Sequence, residues 1–362
     1  MTQHIYYMQK VIELASTISN QTRPNPKVAC IIVKNSQIIG TGIHLLKGKE
    51  HAEIYALHQA SKNAAGATLY VNLEPCFHHG ATPPCVEAII TSKITTVVIA
   101  NQDPNPLVAG KSIARLKQAG INVITDILKN EAQAINQVFF HNITRNLPYI
   151  TLKVGMSIDG RIATKHNISK WITDTASRTD AHSYRAIHEG ILIGIESVIS
   201  DNPNLTPYLV TTHVANNPIR IILDSQLRIP RDAKVIMDNS VATWIVTTQT
   251  KQSIVNEFNN FKHVKIISLE NMQLANILSK LYQLGIYTLM IEGGERIYSS
   301  FIDAKLVNQI VTYISPQIIG STAAKHFVAG DGFIDLQNNL KLKTVSVAQL
   351  DNDVKIVYEV IE

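Results

Sequence analysis

Residues 67–85 read ATLYVNLEPCFHHGATPPC, and this stretch decides the fold of the first half of the chain. ATLYVNL is an apolar run of strand length, and Glu74-Pro75 closes it just before Cys76. PPCVEAIITS then carries a helical pattern that opens on Cys85. A buried strand that delivers one cysteine at its C-terminal end, beside a helix that begins with another, predicts an open α/β sheet with its ligands at that edge. Working outward, HAEIYALHQASK reads as a helix with His51 and Glu53 at its first turn. The N-terminus is an amphipathic helix, followed by a hairpin, KVACIIV/QIIGTGI, that turns at KNSQ. Beyond the Cys85 helix come the strand TTVVIAN, a helix, a strand and a final helix. Strands alternating with helices predict a sheet flanked by helices.

His51, Cys76 and Cys85 carry the chemistry. One imidazole and two thiolates are usual zinc donors, and three protein ligands leave the fourth tetrahedral corner open, as a catalytic site requires. His44, His78 or His79 offers a fourth ligand for a structural zinc, which is the alternative reading. A structural site needs neither the His-Ala-Glu triplet nor the proline before Cys76. Glu53 stands too close to His51 in sequence to share its metal comfortably, and it is placed to exchange a proton with an attacking water. His-x-Glu followed by Pro-Cys and a second Cys is the signature of hydrolytic nucleobase deaminases. Here eight residues, FHHGATPP, separate the two cysteines. Two are found in many cytidine deaminases.

The 362 residues suffice for two domains, and 45% hydrophobic content for two cores. A net charge of +5, with Lys and Arg scattered, predicts no nucleic-acid footprint and suits a phosphorylated small molecule better. Of three cysteines, two are claimed by the metal, and Cys30 in KVACIIV reads as a packed core thiol. That usage points to a reducing, cytoplasmic setting. No signal-peptide pattern and no apolar run of membrane-spanning length is present, so no membrane partner is expected.

NLPYI interrupts the first periodic region between Asn146 and Pro148, and we place a domain boundary there, with domains over 1–146 and 147–362. The second half is again α/β. TLKVGMSIDGRIA, GILIGI, IRIILD, ATWIVTT, VKIISL and YTLMIEGG read as strands, and LVNQIVTYI and VKIVYEVI as β-rich ends. Helices are expected over Thr175–Glu189 and Ala275–Leu284 and in ERIYSSFID. Gly293 and Gly294, between a buried strand and a helix, make a turn whose amides can approach a phosphate, although the turn's own geometry also favours glycine there. No G-x-G-x-x-G fingerprint is present.

Across nearly its whole length the chain resembles the RibD family, the bifunctional deaminase–reductases of riboflavin biosynthesis. The matching blocks are PNPKVAC, HAEIYAL, LEPCFHHGATPPC and NQDPNPLVAGKSI in the first half. In the second half they are LKVGMSIDGRIA, KWIT, Arg178–Arg185, DNPNLT, RIILD and IEGGERIYSSFI. The resemblance implies a cytidine-deaminase-like three-layer α/β/α domain followed by a dihydrofolate-reductase-like α/β domain. It implies hydrolysis of the 2-amino group of 2,5-diamino-6-ribosylamino-4(3H)-pyrimidinone 5′-phosphate, then NADPH-dependent reduction of the ribosyl group to ribityl. His51, Cys76 and Cys85 carry over as zinc ligands and Glu53 as the proton shuttle. Asn25, His44, His78, Asp103 and Asn105 carry over as groups around the pyrimidine nucleotide. For NADPH the resemblance implies Gly155, Trp171, Ser197, Asp201 and the turn Gly294, Glu295, Arg296, Ile297, Tyr298, Ser299 and Ser300. Ser169, Arg185, Leu205 and Glu292 would face the second substrate, with the planar fork of Arg185 suited to holding a phosphate bidentately. Lys153 and Asp159 fall in the block beside the nicotinamide and are assigned no catalytic role. Family members form dimers or tetramers, so a homo-oligomer is implied.

Three positions depart from the family pattern. Ala81 replaces a Lys or Arg in the HHG-x-TPPC loop, Tyr208 replaces an Arg after Leu205-Thr206-Pro207, and Ala29 replaces a Gly before Cys30. The first two remove cations expected near substrate phosphates, and activity with raised Michaelis constants is the expectation. Two rival readings stand beside this one: a base-modifying enzyme acting on RNA, and a deaminase whose second half serves only binding or oligomerisation.

Overall fold

The computed structural model describes residues 2–77, 84–207, 217–330 and 332–361. His78, His79, Ala81 and Tyr208 lie outside the described residues. The chain divides into two compact units, Met1–Asn146 and Leu147–Glu362.

The first unit runs α1 (Thr2–Ser16), β1 (Ala29–Lys34), β2 (Gln37–Ile43), α2 (Ala52–Ala60), β3 (Thr68–Leu73), α3 (Cys85–Thr91), β4 (Thr96–Asn101), α4 (Lys111–Gln118), β5 (Asn122–Ile124), α5 (Lys129–Ala134) and α6 (Gln137–Arg145). Its sheet has the order β2-β1-β3-β4-β5, with β1 antiparallel to both neighbours and β3, β4 and β5 parallel. The β1–β2 turn is two residues, Asn35 and Ser36, both with positive φ (49° and 61°), as a tight hairpin requires. Strand alternation splits the core cleanly. Cys30, Ile32, Leu69, Val71, Val97 and Ile99 pack with Ala52, Ala56, Val86, Ile89 and Leu116 of α2, α3 and α4. Ala29, Ile31, Val33, Tyr70, Val98 and Ala100 pack with Met8, Val11 and Ala15 of α1 and Ala132 of α5. Three layers result. Ala29 is fully buried there and donates its N–H to Asn72 Oδ1 at 2.8 Å, so its methyl is accommodated.

One difference from the sequence reading concerns the end of this unit, where two helices replace one. Asn136 breaks them apart, with Oδ1 accepting from Lys27 N at 2.8 Å and Nδ2 donating to Lys27 O at 2.9 Å. That exchange ties the interhelix corner to the entry of β1.

The second unit contains β6 (Tyr149–Ser157), β7 (Arg161–Ala163), α7 (Thr175–Ile187), β8 (Gly190–Gly194), α8 (Ile195–Asp201), β9 (Ile219–Leu223), α9 (Lys234–Met237), β10 (Thr243–Thr247), α10 (Gln252–Asn256), β11 (Val264–Ser268), α11 (Leu274–Gln283), β12 (Thr288–Ile291), α12 (Glu295–Asp303), β13 (Gln309–Ser315), β14 (Lys325–His326), β15 (Lys341–Leu350) and β16 (Asp353–Ile361). Nine strands form one sheet, β11-β10-β9-β8-β12-β6-β13-β16-β15, parallel from β11 to β13 and antiparallel through β16 and β15. Leu192, Ile221, Val246, Leu289 and Ile291 face α11 and α12, while Ile191, Ile193, Ile222, Ile245 and Met290 face α8 and α9. Both faces are covered, as near-continuous apolar strands predict.

TLKVGMSIDGRIA is not one strand. Ser157 Oγ donates to Asp159 Oδ1 at 2.5 Å and accepts from Arg161 N at 3.0 Å, and Gly160 takes φ 75°, so the chain turns and β7 pairs with β14. β15 had no counterpart in the sequence reading. It pairs with β16 at the sheet edge and is exposed along nearly its whole length. Among the described residues no helix is long and apolar enough to cross a membrane.

Candidate active sites

In the first unit the sheet edge assembles the metal-binding group from three elements. His51 is the N-cap of α2, Cys76 follows the end of β3, and Cys85 is the first residue of α3. Helix α2 lies close on β2 because Gly40 and Gly42 have no side chains. A Cβ at Gly42 would lie 2.0 Å from Ala52 O and one at Gly40 2.2 Å from Ala56 O. Cys85 N donates to Cys76 Sγ at 3.2 Å, and Cys85 Sγ lies 3.3 Å from His51 Nδ1. All three donor atoms fall within 4.8 Å of one another.

The electrostatics fit a cation. The hydrogen bond with Cys85 holds the Cys76 thiol down, to about 4, and the same bond pushes Cys85 far up, so the two sulfurs share one proton. Interaction with Cys76 raises His51, against the opposing effect of burial. Two thiolates side by side repel, and a divalent ion bound among them relieves that conflict. One imidazole and two thiols supply three corners of a tetrahedron, a donor set that fits zinc with one corner left for chemistry.

Glu53 sits in the first turn of α2, only 3% exposed. Burial, reinforced by repulsion from Cys76, pushes its carboxyl up to about 7, where a group exchanges protons most readily at neutral pH. His44 does not join the metal group. Its Nδ1 lies 3.1 Å from Glu50 O, which can only accept, so Nδ1 carries the proton and Nε2 accepts from Asn25 Nδ2 at 3.1 Å. Burial lowers its pKa, and the neutral ring stands edge-on to His51 at 5.3 Å between centroids. Asn25 and His44 thus meet beside the metal group, while His78 falls outside the described residues.

Asp103 and Asn105 lie in the loop after β4, and both have loop-shaping bonds. Asp103 Oδ1 accepts from Asn105 N at 2.8 Å, and Asn105 Oδ1 accepts from Leu107 N at 3.0 Å. The residue that holds this loop was missed in the sequence. Glu74, 3% exposed, accepts from four backbone amides: Asp103 at 3.2 Å, Gly110 at 2.9 Å, Ser112 at 3.1 Å and Ile113 at 3.2 Å. It stands two residues before Cys76, so one carboxylate couples the metal edge to the Asp103 loop.

In the second unit a cavity of about 1170 Å³ opens along the C-terminal ends of β6, β12, β8 and β9, large enough for a dinucleotide and a substrate together. Gly155, Ser169, Trp171, Arg185, Ser197, Asp201, Leu205 and Glu292 line it, as do Gly294, Glu295, Arg296, Ile297 and Tyr298. Ser299 and Ser300 do not. They lie further along α12, where Ser299 Oγ donates to Glu295 O and accepts from Ala329 N, and Ser300 Oγ donates to Arg296 O.

The residues of this cavity fit a nucleotide cofactor. A Cβ at Gly293 would lie 2.5 Å from Ile297 Cβ, and one at Gly155 3.2 Å from Thr173 Cγ2, so the backbone forms a cradle on both sides. Gly294 caps α12 opposite Ser197, presenting that helix's first amides to the cavity, a fitting place for a diphosphate.

Charge concentrates at Glu292. Arg185 grips it through Nε at 3.1 Å and Nη2 at 2.6 Å, and Lys153 Nζ lies 3.3 Å from Oε1. These cations overcome burial and hold the Glu292 carboxyl at about 2. The bidentate face of Arg185, expected to hold a phosphate, is therefore occupied by Glu292. Lys153 is the third member of this group, and no sequence signal separated it from an ordinary ion pair. Asp159 is structural: it accepts from Ser157 and from the amides of Ile319 and Gly320 at 3.1 and 2.8 Å. The Ser157 bond foremost holds it at about 2.

Both sites together define a zinc-type deaminase joined to a reductase. Residues 1–101 match the cytidine and deoxycytidylate deaminase zinc-binding region, and residues 148–356 match the RibD C-terminal domain. The riboflavin biosynthesis protein RibD of Bacillus amyloliquefaciens is 41% identical, covering 97% of this chain and 95% of its own. The fold superposes on RibD of Acinetobacter baumannii with a TM-score of 0.86 at 37% identity, covering 100% of this chain and 99% of that one. A Thermotoga maritima diaminohydroxyphosphoribosylaminopyrimidine deaminase/5-amino-6-(5-phosphoribosylamino)uracil reductase superposes at 0.83 with 32% identity, covering 99% of each. The chain belongs to the RibD family of riboflavin biosynthesis.

Proposed function

We infer that the chain performs two consecutive reactions on one pyrimidine nucleotide. The first unit hydrolyses the 2-amino group of 2,5-diamino-6-ribosylamino-4(3H)-pyrimidinone 5′-phosphate, releasing ammonia. The second uses NADPH to reduce the ribosyl group of the product to ribityl, giving 5-amino-6-ribitylaminouracil 5′-phosphate. The observation that carries the reading is the convergence of His51, Cys76 and Cys85 with the Glu53 carboxyl buried beside them.

His51, Cys76 and Cys85 would hold zinc, which when bound would supply the Lewis acidity that lowers the pKa of water towards neutrality. Glu53 takes the proton of the attacking water and passes it to the departing amine, and its pKa near 7 suits both transfers. Asn25, oriented by the neutral His44, presents its remaining amide donor and acceptor to the pyrimidine, and the loop held by Glu74 brings Asp103 and Asn105 to the nucleotide.

In the second unit NADPH, when bound, would supply hydride. Gly155 and Trp171 would hold its nicotinamide end, and Gly294, the first turn of α12 and Ser197 its diphosphate. Glu292, fixed by Arg185 and Lys153, faces the sugar-bearing substrate with Ser169 and Leu205. Self-association and a cytoplasmic setting belong to the same reading. They are supported by Val345 and Val347, exposed on the edge strand β15, and by metal-site thiols that need reducing surroundings.

Chelation tests the reading. Stripping the metal should abolish ammonia release from the diaminopyrimidinone and leave NADPH oxidation with the deaminated nucleotide intact, and zinc should restore the first activity. Ammonia release that survives complete metal removal would refute it.

A further inference from the structure

The cofactor cavity extends past the diphosphate position to three cations, of which Arg228 and Lys234 have no role in the arrangement described so far. Arg228, in the loop after β9, Arg296, in the first turn of α12, and Lys234, at the start of α9, all line it. Between the two arginines stands Glu196. Arg228 Nη2 lies 2.5 Å from Glu196 Oε1, and Arg228 foremost, then Arg296, depresses the Glu196 carboxyl. Arg228, Arg296 and Lys234 share this lining with Glu196, Asp201 and Glu295, so the placement of the Arg228 fork, and not net charge, marks this end of the cavity. The glutamate holds the Arg228 fork at the rim.

Position along the sheet says which part of a ligand arrives there. The strand order runs β6-β12-β8-β9. At ~4.8 Å per strand, β9 lies roughly 14 Å from β6. A dinucleotide laid across these strand ends, with its nicotinamide over Gly155 on β6 and its diphosphate at Gly294 after β12, has its adenosine ribose over β8 and β9. Lys234 is fixed at the same rim, because its backbone N–H donates to Asn202 Oδ1 at 2.8 Å, just after α8.

We propose that Arg228, assisted by Arg296 and Lys234, is the subsite that recognises the adenosine 2′-phosphate and makes the reductase select NADPH over NADH. The proposal rests on the reductase reading above and deepens it. A phosphate is doubly charged near neutral pH and accepts a planar guanidinium bidentately, whereas the 2′-hydroxyl of NADH offers neither the charge nor the geometry.

The test is equilibrium titration of the full-length protein with NADPH and with NADH, read by cofactor fluorescence, for wild type, Arg228→Ala and Lys234→Ala. Wild type should bind NADPH more tightly. Arg228→Ala should weaken NADPH by roughly 10- to 100-fold and NADH by less than about 3-fold, and Lys234→Ala should shift NADPH in the same sense but less. Adenosine 2′,5′-bisphosphate should displace NADPH from wild type and lose that ability in Arg228→Ala, while ammonia release stays unchanged in both variants. Equal binding of the two cofactors by wild type, or losses in Arg228→Ala that are equal for both, would overturn this proposal and leave the reductase reading intact. Wild type that binds neither cofactor would overturn both.

Discussion

Replacing Glu74 by Gln removes one carboxylate oxygen from a site where four backbone amides point inward. Each oxygen accepts two of those amides: Oε2 those of Asp103 and Gly110, and Oε1 those of Ser112 and Ile113. In glutamine one oxygen becomes an NH₂ group, which cannot accept, so two amides lose their partner and meet another donor. Charged hydrogen bonds contribute about 1.5–3 kcal/mol each, so the local cost is ~3–6 kcal/mol. At 1.4 kcal/mol per decade, amides of residues 103–113 should exchange with solvent deuterium roughly 100- to 10,000-fold faster. Mass spectrometry of the intact, zinc-loaded protein reads this directly. Ammonia release should fall because the Asp103 loop is no longer fixed beside the metal edge. NADPH oxidation with the deaminated nucleotide should not change. Exchange rates in this segment within about 5-fold of wild type would refute the argument that Glu74 holds the loop.

Gly42→Ala places a Cβ against the backbone of α2, 2.0 Å from Ala52 O and 2.7 Å from Ala56 N, so the helix must move and carry His51 with it. Zinc stoichiometry and ammonia release should both drop, read by metal analysis and coupled ammonia assay. Arg185→Ala leaves a buried carboxylate with Lys153 alone and should destabilise the second unit by about 3 kcal/mol or more. The pH dependence follows with its sign. Glu292 is held at about 2, below its ordinary 4.5, so its contribution is present above 4.5 and is lost as pH falls towards 2. In Arg185→Ala the folded-state pKa rises, and acid unfolding followed by circular dichroism should begin at higher pH than in wild type. Gly293→Ala, whose Cβ would meet Ile297 at 2.5 Å, should weaken NADPH and NADH alike, in contrast to the selective effect expected at Arg228.

The parts of the molecule legible in the sequence are those set by local pattern. The strand leading to Cys76, the helices that begin at or just after His51 and Cys85, and the glycine turn before α12 all appear where periodicity and turn residues place them. What was not legible depends on partners distant in sequence. β15 carries no buried face to reveal it and exists because β16 pairs with it. Glu74 reads as a polar residue at a strand end, and its four donors are backbone amides 29 to 39 residues away, which leave no side-chain signature. The family resemblance and the planar fork of Arg185 pointed to a phosphate, yet folding brings Glu292 from 107 residues away to fill that fork.

The most direct test of the account follows ammonia and NADPH separately in wild type and Glu53→Gln, supplied first with the diaminopyrimidinone nucleotide and then with its deaminated product. Wild type should release ammonia and then oxidise NADPH. Glu53→Gln should lose ammonia release by roughly 10²- to 10⁴-fold, retain bound zinc, and oxidise NADPH normally only when given the deaminated product. Full ammonia release by Glu53→Gln, or NADPH oxidation by that variant on the undeaminated nucleotide, would contradict the assignment of two consecutive reactions to two separate sites.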